Sequence, residues 1–409
     1  MLKINYLTII NILLLFFSMN FFNMSSWILV ITFLILFLLE KNKIYNYTKD
    51  QMFNLTVMFA IAFFVFSYQN GIASGLPAIG CPVAYYIGRR IEAYNKDSIP
   101  NYILIIILGM TSHAIINFIY EYIKFGGINS GGIHYDAFSL GAITSATGAA
   151  TNLTLFAGVL YYFFIGNYSL YKKILLAAIT LLCFAYNMVL GGRSFFVLTL
   201  LSFAFCFFVD CIYQRNSYYR IKMLKKLLAS CLSVILLVCF LYIFGAEKIQ
   251  TFFESTYLFH RFAYASSSNS QDLVSFFTTS DRVDIRAMYI TNMLDNLWGG
   301  RVIFANVGFY AHELWLDIFD AAGIVPFIGI WGITILSVVN SYLYITNKET
   351  KMENKILITG VIVSFMIQFC LEPVITGART LLFAYFLILG LLKSKLAKYS
   401  LEVHYIRGK

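Results

Sequence analysis

Charge is scarce in this 409-residue chain: Asp, Glu, Lys and Arg make up 12% of it, against 60% apolar residues and a mean hydropathy of +0.75. The apolar residues fall in blocks of about 17 to 22, long enough for a helix to cross ~30 Å of hydrocarbon, so soluble classes are excluded. Two-residue alternation is also missing, and the blocks are too long for barrel strands, which excludes a membrane β-barrel. With no water in the bilayer to satisfy an open backbone, the spans must be helices, and the expected class is an all-α, polytopic helical membrane protein.

Other absences narrow the chemistry. The seven cysteines (Cys81, Cys183, Cys206, Cys211, Cys231, Cys239 and Cys370) lie in or beside apolar blocks with neither C-x-x-C nor His-Cys spacing, which makes them packing residues and indicates no disulfide or metal site. Only five histidines occur, and His312-Glu313 lacks the second histidine of H-E-x-x-H because position 316 is Leu316, so a zinc protease is rejected. No D-x-D motif for a metal and a nucleotide-sugar stands in the loops, so a sugar donor, if there is one, is expected to be lipid-linked and no cofactor is expected. The first apolar block ends in "SMNFFNMSSW" without an A-x-A-like cleavage site and is read as a retained span, not a signal peptide. No internal repeat is visible.

About 12 spans are expected, near 5–22, 25–40, 52–69, 72–88, 100–120, 143–165, 174–190, 195–212, 227–246, 323–345, 356–371 and 380–393. The fourth is interrupted by Gly and Pro. Placing both termini in the cytoplasm puts twenty-two of the 30 basic residues in inner segments, as the positive-inside tendency requires. The net charge of +10 is therefore a topology signal, sufficient without a nucleic-acid partner, and some of these residues can touch anionic lipid of the bilayer.

The outer basic residues are Lys124, Arg193, Lys248, Arg261, Arg282, Arg286, Arg301 and Arg379, mostly arginine where the inner set is mostly lysine. Arginine's planar fork suits phosphate and carboxylate, although arginines snorkelling to headgroups would give the same bias. Most connections are short, and the Gly-rich outer one from Glu121 to about Ala142 is of middling length. The connection over 247–322 stands apart as the one large outer loop, of a length that tends to carry function.

Within it, "SSSNSQ" has no periodicity. Order returns in "SDRVDIRAMYITNMLDNLWGGR", with Ser280 as N-cap, Asp281 in the first turn, and Val283, Met288, Ile290, Met293, Leu294 and Leu297 as the apolar helical positions. Arg282 and Arg286 are i,i+4 neighbours able to reach one anion together, or to pair with Asp281 or Asp284. After the Gly299–Gly300 turn, "HELWLDIFDAAG" sets Glu313, Asp317 and Asp320 on one helix face, a pattern that normally marks solvated surface, with His312 at the helix start. Arg379 sits in "EPVITGART" and can form a structural pair with Glu372 or contact a ligand. His113, inside a span, reads as a satisfied bundle residue.

The order Arg282, Gly299 and Gly300, His312, Leu316, Gly323 and Ile324, with an Arg-bearing outer turn "GGRS" at 191–194, resembles the bacterial O-antigen and capsular polysaccharide polymerases (Wzy-type) and the related O-antigen ligases. The resemblance covers 191–194 and 280–330, and is otherwise one of topology. It departs from the family pattern at Glu313, where Asn is usual.

That resemblance implies a metal-independent glycosyltransferase of the bacterial inner membrane. It would join undecaprenyl-diphosphate-linked oligosaccharide donor and acceptor on the outer face to make O-antigen or capsule, with a chain-length regulator protein as a candidate partner. His312 is then the catalytic base, the alternative being a hydrogen-bonded helix-start histidine. Arg193, Arg282 and Arg301, then Arg286 and Arg379, are the contacts to diphosphate or sugar acid. A ligase of the same family and a lipid-linked oligosaccharide flippase are the rival readings. The flippase is disfavoured because, His113 aside, no ionisable residue lies clearly mid-span.

Overall fold

A computed structural model of the chain describes residues 6–39, 50–94, 99–214 apart from 128, 130–132 and 140, a few positions between 221 and 259, and 282–407. The expected span at 227–246, Ser280, Asp281, Arg261, Lys248 and most of 247–281 lie outside the described residues.

Helices dominate: α1 (Tyr6–Ser18), α2 (Ser25–Leu39), α3 (Gln51–Ser67), α4 (Ile72–Tyr94), α5 (Ile99–Phe125), a broken helix over 146–165, α6 (Leu170–Leu190), α7 (Arg193–Tyr213), α8 (Arg282–Asn292), α9 (Val302–Val307), α10 (Leu314–Ala322), α11 (Ile324–Thr346), α12 (Met352–Leu371) and α13 (Arg379–Arg407). Among the described residues seven helices are long and apolar enough to cross a membrane: α5, the broken helix, α6, α7, α11, α12 and the apolar part of α13. α1, α2 and α3 are shorter apolar helices at the first three expected spans. The chain is a multi-pass helical membrane protein.

The all-α class holds, with one short addition. The Gly-rich segment after α5 forms an antiparallel hairpin of β1 (Ile133–Asp136) and β2 (Ala142–Ser145), with Ile133 opposite Ser145 and Asp136 opposite Ala142. Its anchors come from α5. Glu121 accepts from the backbone N–H of Tyr135 at 2.6 Å and from Nδ1 of the fully buried His134 at 3.0 Å, and Asn117 accepts from the N–H of Ala137 at 2.9 Å. A buried carboxylate that satisfies two donors can hold glycine-rich backbone that has little strand propensity of its own.

The chain divides into two compact units. The first comprises Met1–His113, Ser280–Thr350 and Phe365–Lys409. In it α4 and α13 cross at glycine: a Cβ on Gly88 would strike the carbonyl of Leu387, and one on Gly390 the carbonyl of Tyr85. Small residues let backbones approach where lipid offers no hydrophobic drive to association. Asp50 caps α3 by accepting from Phe53 N–H at 3.2 Å, pairs with Arg89 at 3.0 Å and accepts from Tyr85 Oη at 3.1 Å, so this buried pair is closed by further hydrogen bonds. His113 is buried with Nδ1 2.7 Å from the carbonyl of Met19, as expected of a satisfied bundle residue.

The second unit comprises Ala114–Thr279 and Lys351–Ser364. It contains the hairpin and places Gly158 against Gly360 and Ser364. Asp210, one turn from the end of α7, is buried and accepts from Tyr161 Oη at 2.7 Å.

Candidate functional site

From α8 onward the large loop is a folded layer that belongs to the first unit. Tyr289 and Ile285 point inward from that helix to join Ile303, Ala311, Leu316 and Phe319. The apolar positions expected to pack are mostly outside this core. Val283, Met288, Ile290, Leu294 and Leu297 are exposed, and of the six only Met293 packs against the cluster.

Three consecutive residues, Gly299, Gly300 and Arg301, take positive φ of 77°, 84° and 56° and turn the chain into α9. The turn is pinned to α10, because Arg301 N–H donates to the Asp320 carbonyl at 2.7 Å. The backbone also comes close here: a Cβ on Gly299 would stand 2.5 Å from the Gly323 nitrogen, and one on Gly323 2.5 Å from the Leu297 carbonyl.

The acidic face is the clearest correction to the sequence reading. Asp317 and Asp320 are 4% and 3% exposed, so they are not a solvated surface. Each carboxylate serves backbone on another segment. Asp320 Oδ1 accepts from the N–H groups of Ile303 and Phe304 at 3.0 and 3.3 Å and so caps α9, while Asp317 Oδ1 accepts from Ala311 N–H at 3.0 Å and holds the turn before His312. Burial raises both carboxyls against these hydrogen bonds, Asp317 to about 7. Glu313 is not on that face at all. Its backbone is extended (φ −152°) at the N-cap of α10, and its carboxylate lies 3.8 Å from Arg286.

His312 has φ 54°, a left-handed backbone that a residue with a Cβ adopts at a cost of about 1–2 kcal/mol. Arg286 stabilises this conformation by donating to the carbonyls of Ala311 (3.4 Å), His312 (3.0 Å) and Cys370. Arg282 donates to the Leu371 carbonyl at 2.7 Å and to Glu372 Oε1 at 3.4 Å. The i,i+4 arginines therefore do converge, on the carbonyl end of α12 and not on Asp284. Two guanidiniums at the negative end of a helix satisfy orphan carbonyls and oppose its dipole.

Glu372 is 3% exposed and brings Oε2 to 4.0 Å from His312 Nδ1. Burial, then the Arg282 and Arg286 cations, lower the imidazole pKa to about 4, so the ring is neutral at physiological pH with a quarter of its side chain exposed. Burial raises Glu313 while Arg286 opposes it.

Arg282 and His312 thus meet at Glu372, with Arg286 held beside them on the carbonyls of His312 and Cys370. Arg301 lies on the neighbouring turn, its guanidinium 5.6 Å from the Tyr310 ring centre, 6.0 Å from that of Phe304 and attracted to Asp317 and Asp320. Arg379 is exposed at the start of α13, and Glu372, its expected structural partner, is directed instead to Arg282 and His312. Arg193 belongs to the second unit, where it begins α7 after the left-handed Gly191.

Glu372 is the residue that sequence reasoning undervalued. The usable signal was an acid at the C-terminal end of an apolar span in a region whose charge is otherwise arginine. Among the described residues no group of three or more His, Cys, Asp and Glu is arranged to hold a metal ion. Compared with known proteins, the chain matches no family model and no curated protein sequence.

Proposed function

We propose that the protein is a glycosyltransferase that polymerises undecaprenyl-diphosphate-linked oligosaccharide repeats into O-antigen or capsule. It would work on the outer face of the bacterial inner membrane, through about twelve spans with both termini inside. The observation that carries this reading is His312: a neutral imidazole on a strained backbone, reachable from solvent, beside a buried carboxylate and two guanidiniums.

A neutral imidazole can accept the proton of the acceptor hydroxyl. The acceptor oxygen then bonds to the anomeric carbon of the donor sugar, the bond from that carbon to the diphosphate oxygen breaks, and undecaprenyl diphosphate leaves as an anion. Arg282 and Arg286 retain exposed edges and unused donors toward that anion, and Arg301 supplies a further cation. Because the two arginines are also what depresses His312 after burial, an anion bound to them raises the basicity of the imidazole when the base is needed. Glu372 then stabilises the imidazolium. Arg193 and Arg379 are retained as sugar or diphosphate contacts on the resemblance alone.

Deletion of the gene followed by sizing of the surface glycan tests the reading. A polymerase leaves glycan capped with a single repeat. Loss of every attached repeat identifies a ligase, and lipid-linked repeats stranded on the cytoplasmic face identify a flippase. Either outcome overturns the polymerase.

A further inference from the structure

α8 has three faces, where a helix on a soluble protein needs two. One, carrying Arg282, Ile285, Arg286 and Tyr289, is turned to the protein. The exposed residues then separate by polarity. Val283, Ala287, Ile290 and, just past the helix, Leu294 recur at i, i+4, i+7 and i+11 along one stripe, whereas Asp284, Thr291, Asn292 and Asp295 occupy another, with Met288 the one apolar exception. Val283, Ile290 and Leu294 are 66%, 60% and 80% exposed, which is costly for large side chains facing water.

Three contacts fix the level at which this helix lies. Arg282 holds the Leu371 carbonyl at the end of α12, Leu297 accepts from Ile324 N–H at 2.9 Å where α11 begins, and the Trp298 ring stacks on Phe66 near the end of α3 at 5.9 Å. All three mark the ends of apolar helices, where hydrocarbon gives way to headgroups and where Trp is enriched. On α11, just inside the span, Val325 and Ile328 are likewise exposed.

We propose that α8 is an interfacial helix whose Val283, Ala287, Ile290 and Leu294 stripe is seated in lipid, with its acidic and amide stripe in water and its arginines turned to the protein. The occupant of the stripe is the bilayer itself, since the segment is tied to the ends of three apolar helices and the stripe has its own polar boundary. This holds whatever chemistry His312 performs.

The test incorporates the photo-cross-linker p-benzoylphenylalanine singly at Ile290, Leu294 or Asn292 of the full chain. Each protein is reconstituted in phosphatidylethanolamine and phosphatidylglycerol vesicles, irradiated and analysed by mass spectrometry. Positions 290 and 294 are expected to give several-fold more phospholipid adduct than 292, with monodisperse protein before reconstitution confirming the fold. Since all three side chains are exposed, the substitutions leave the core untouched. Equal adduct at the three positions, or intrachain protein adduct in place of lipid at 290 and 294, would overturn the proposal, the latter by showing that protein covers the stripe.

Discussion

Arg286 donates to the backbone carbonyl of His312 at 3.0 Å, so the same guanidinium that fixes the histidine's left-handed backbone also repels a proton from its ring. The two effects are separable by substitution. Arg286→Lys keeps the charge but, as a point donor, cannot serve the carbonyls of Ala311, His312 and Cys370 together. Losing charge-assisted bonds of about 1.5–3 kcal/mol each should lower polymer formation about tenfold or more. Glycan length in a complemented deletion strain, at matched protein level, checks this.

The pH dependence carries a sign. An unfolded imidazole titrates near 6.5 and His312 near 4, so between those values the unfolded chain binds more protons and stability falls as pH drops. In the free protein a neutral base is likewise lost only toward pH 4, so the rate at limiting donor, in vesicles at pH 4–8, should show no acid limb from the imidazole above about pH 5. Arg282→Gln removes one repelling cation and should move that limb upward. An unmoved limb would take the base role away from His312.

Asp317 has the opposite sign. Its carboxyl is raised to about 7, so the folded chain binds more protons than the unfolded one from pH 3.8 to 7 and loses stability as pH rises through that window. Asp317→Asn keeps an acceptor for Ala311 N–H and removes the titration, so its thermal unfolding should be flatter with pH and more resistant at pH 8. Asp317→Leu abandons that N–H and should cost about 1–3 kcal/mol at every pH.

Gly323 and Gly308 share positive φ, 81° and 80°, but not surroundings. A Cβ at Gly323 meets backbone at 2.5–2.9 Å, whereas at Gly308 nothing lies within 4 Å. Gly308→Ala should cost only the left-handed penalty, about 1–2 kcal/mol. Gly323→Ala should fall well below it in detergent melting temperature, since backbone cannot yield as a side chain does.

The membrane class, most spans and the order of arginine, glycine pair and histidine are legible in the sequence because each rests on local composition or spacing. What escaped is what one segment does for another. Asp317 and Asp320 look like surface from their own helix and are buried because Ala311, Ile303 and Phe304 need acceptors. The hairpin escaped because its anchor, Glu121, belongs to α5. Val283, Ile290 and Leu294 satisfied the helical period yet point away from the core, since beside a bilayer apolar does not mean interior.

All nine residues of α10, Leu314 to Ala322, are buried. A segment with no bare side cannot swing like a flap over a substrate, because lifting it would strip every residue from its neighbours at once. α10 is the fixed floor of the loop. Any movement around His312 must therefore be recruited from the chain on either side, and a rigid spectroscopic label for following such movement is best referenced to α10.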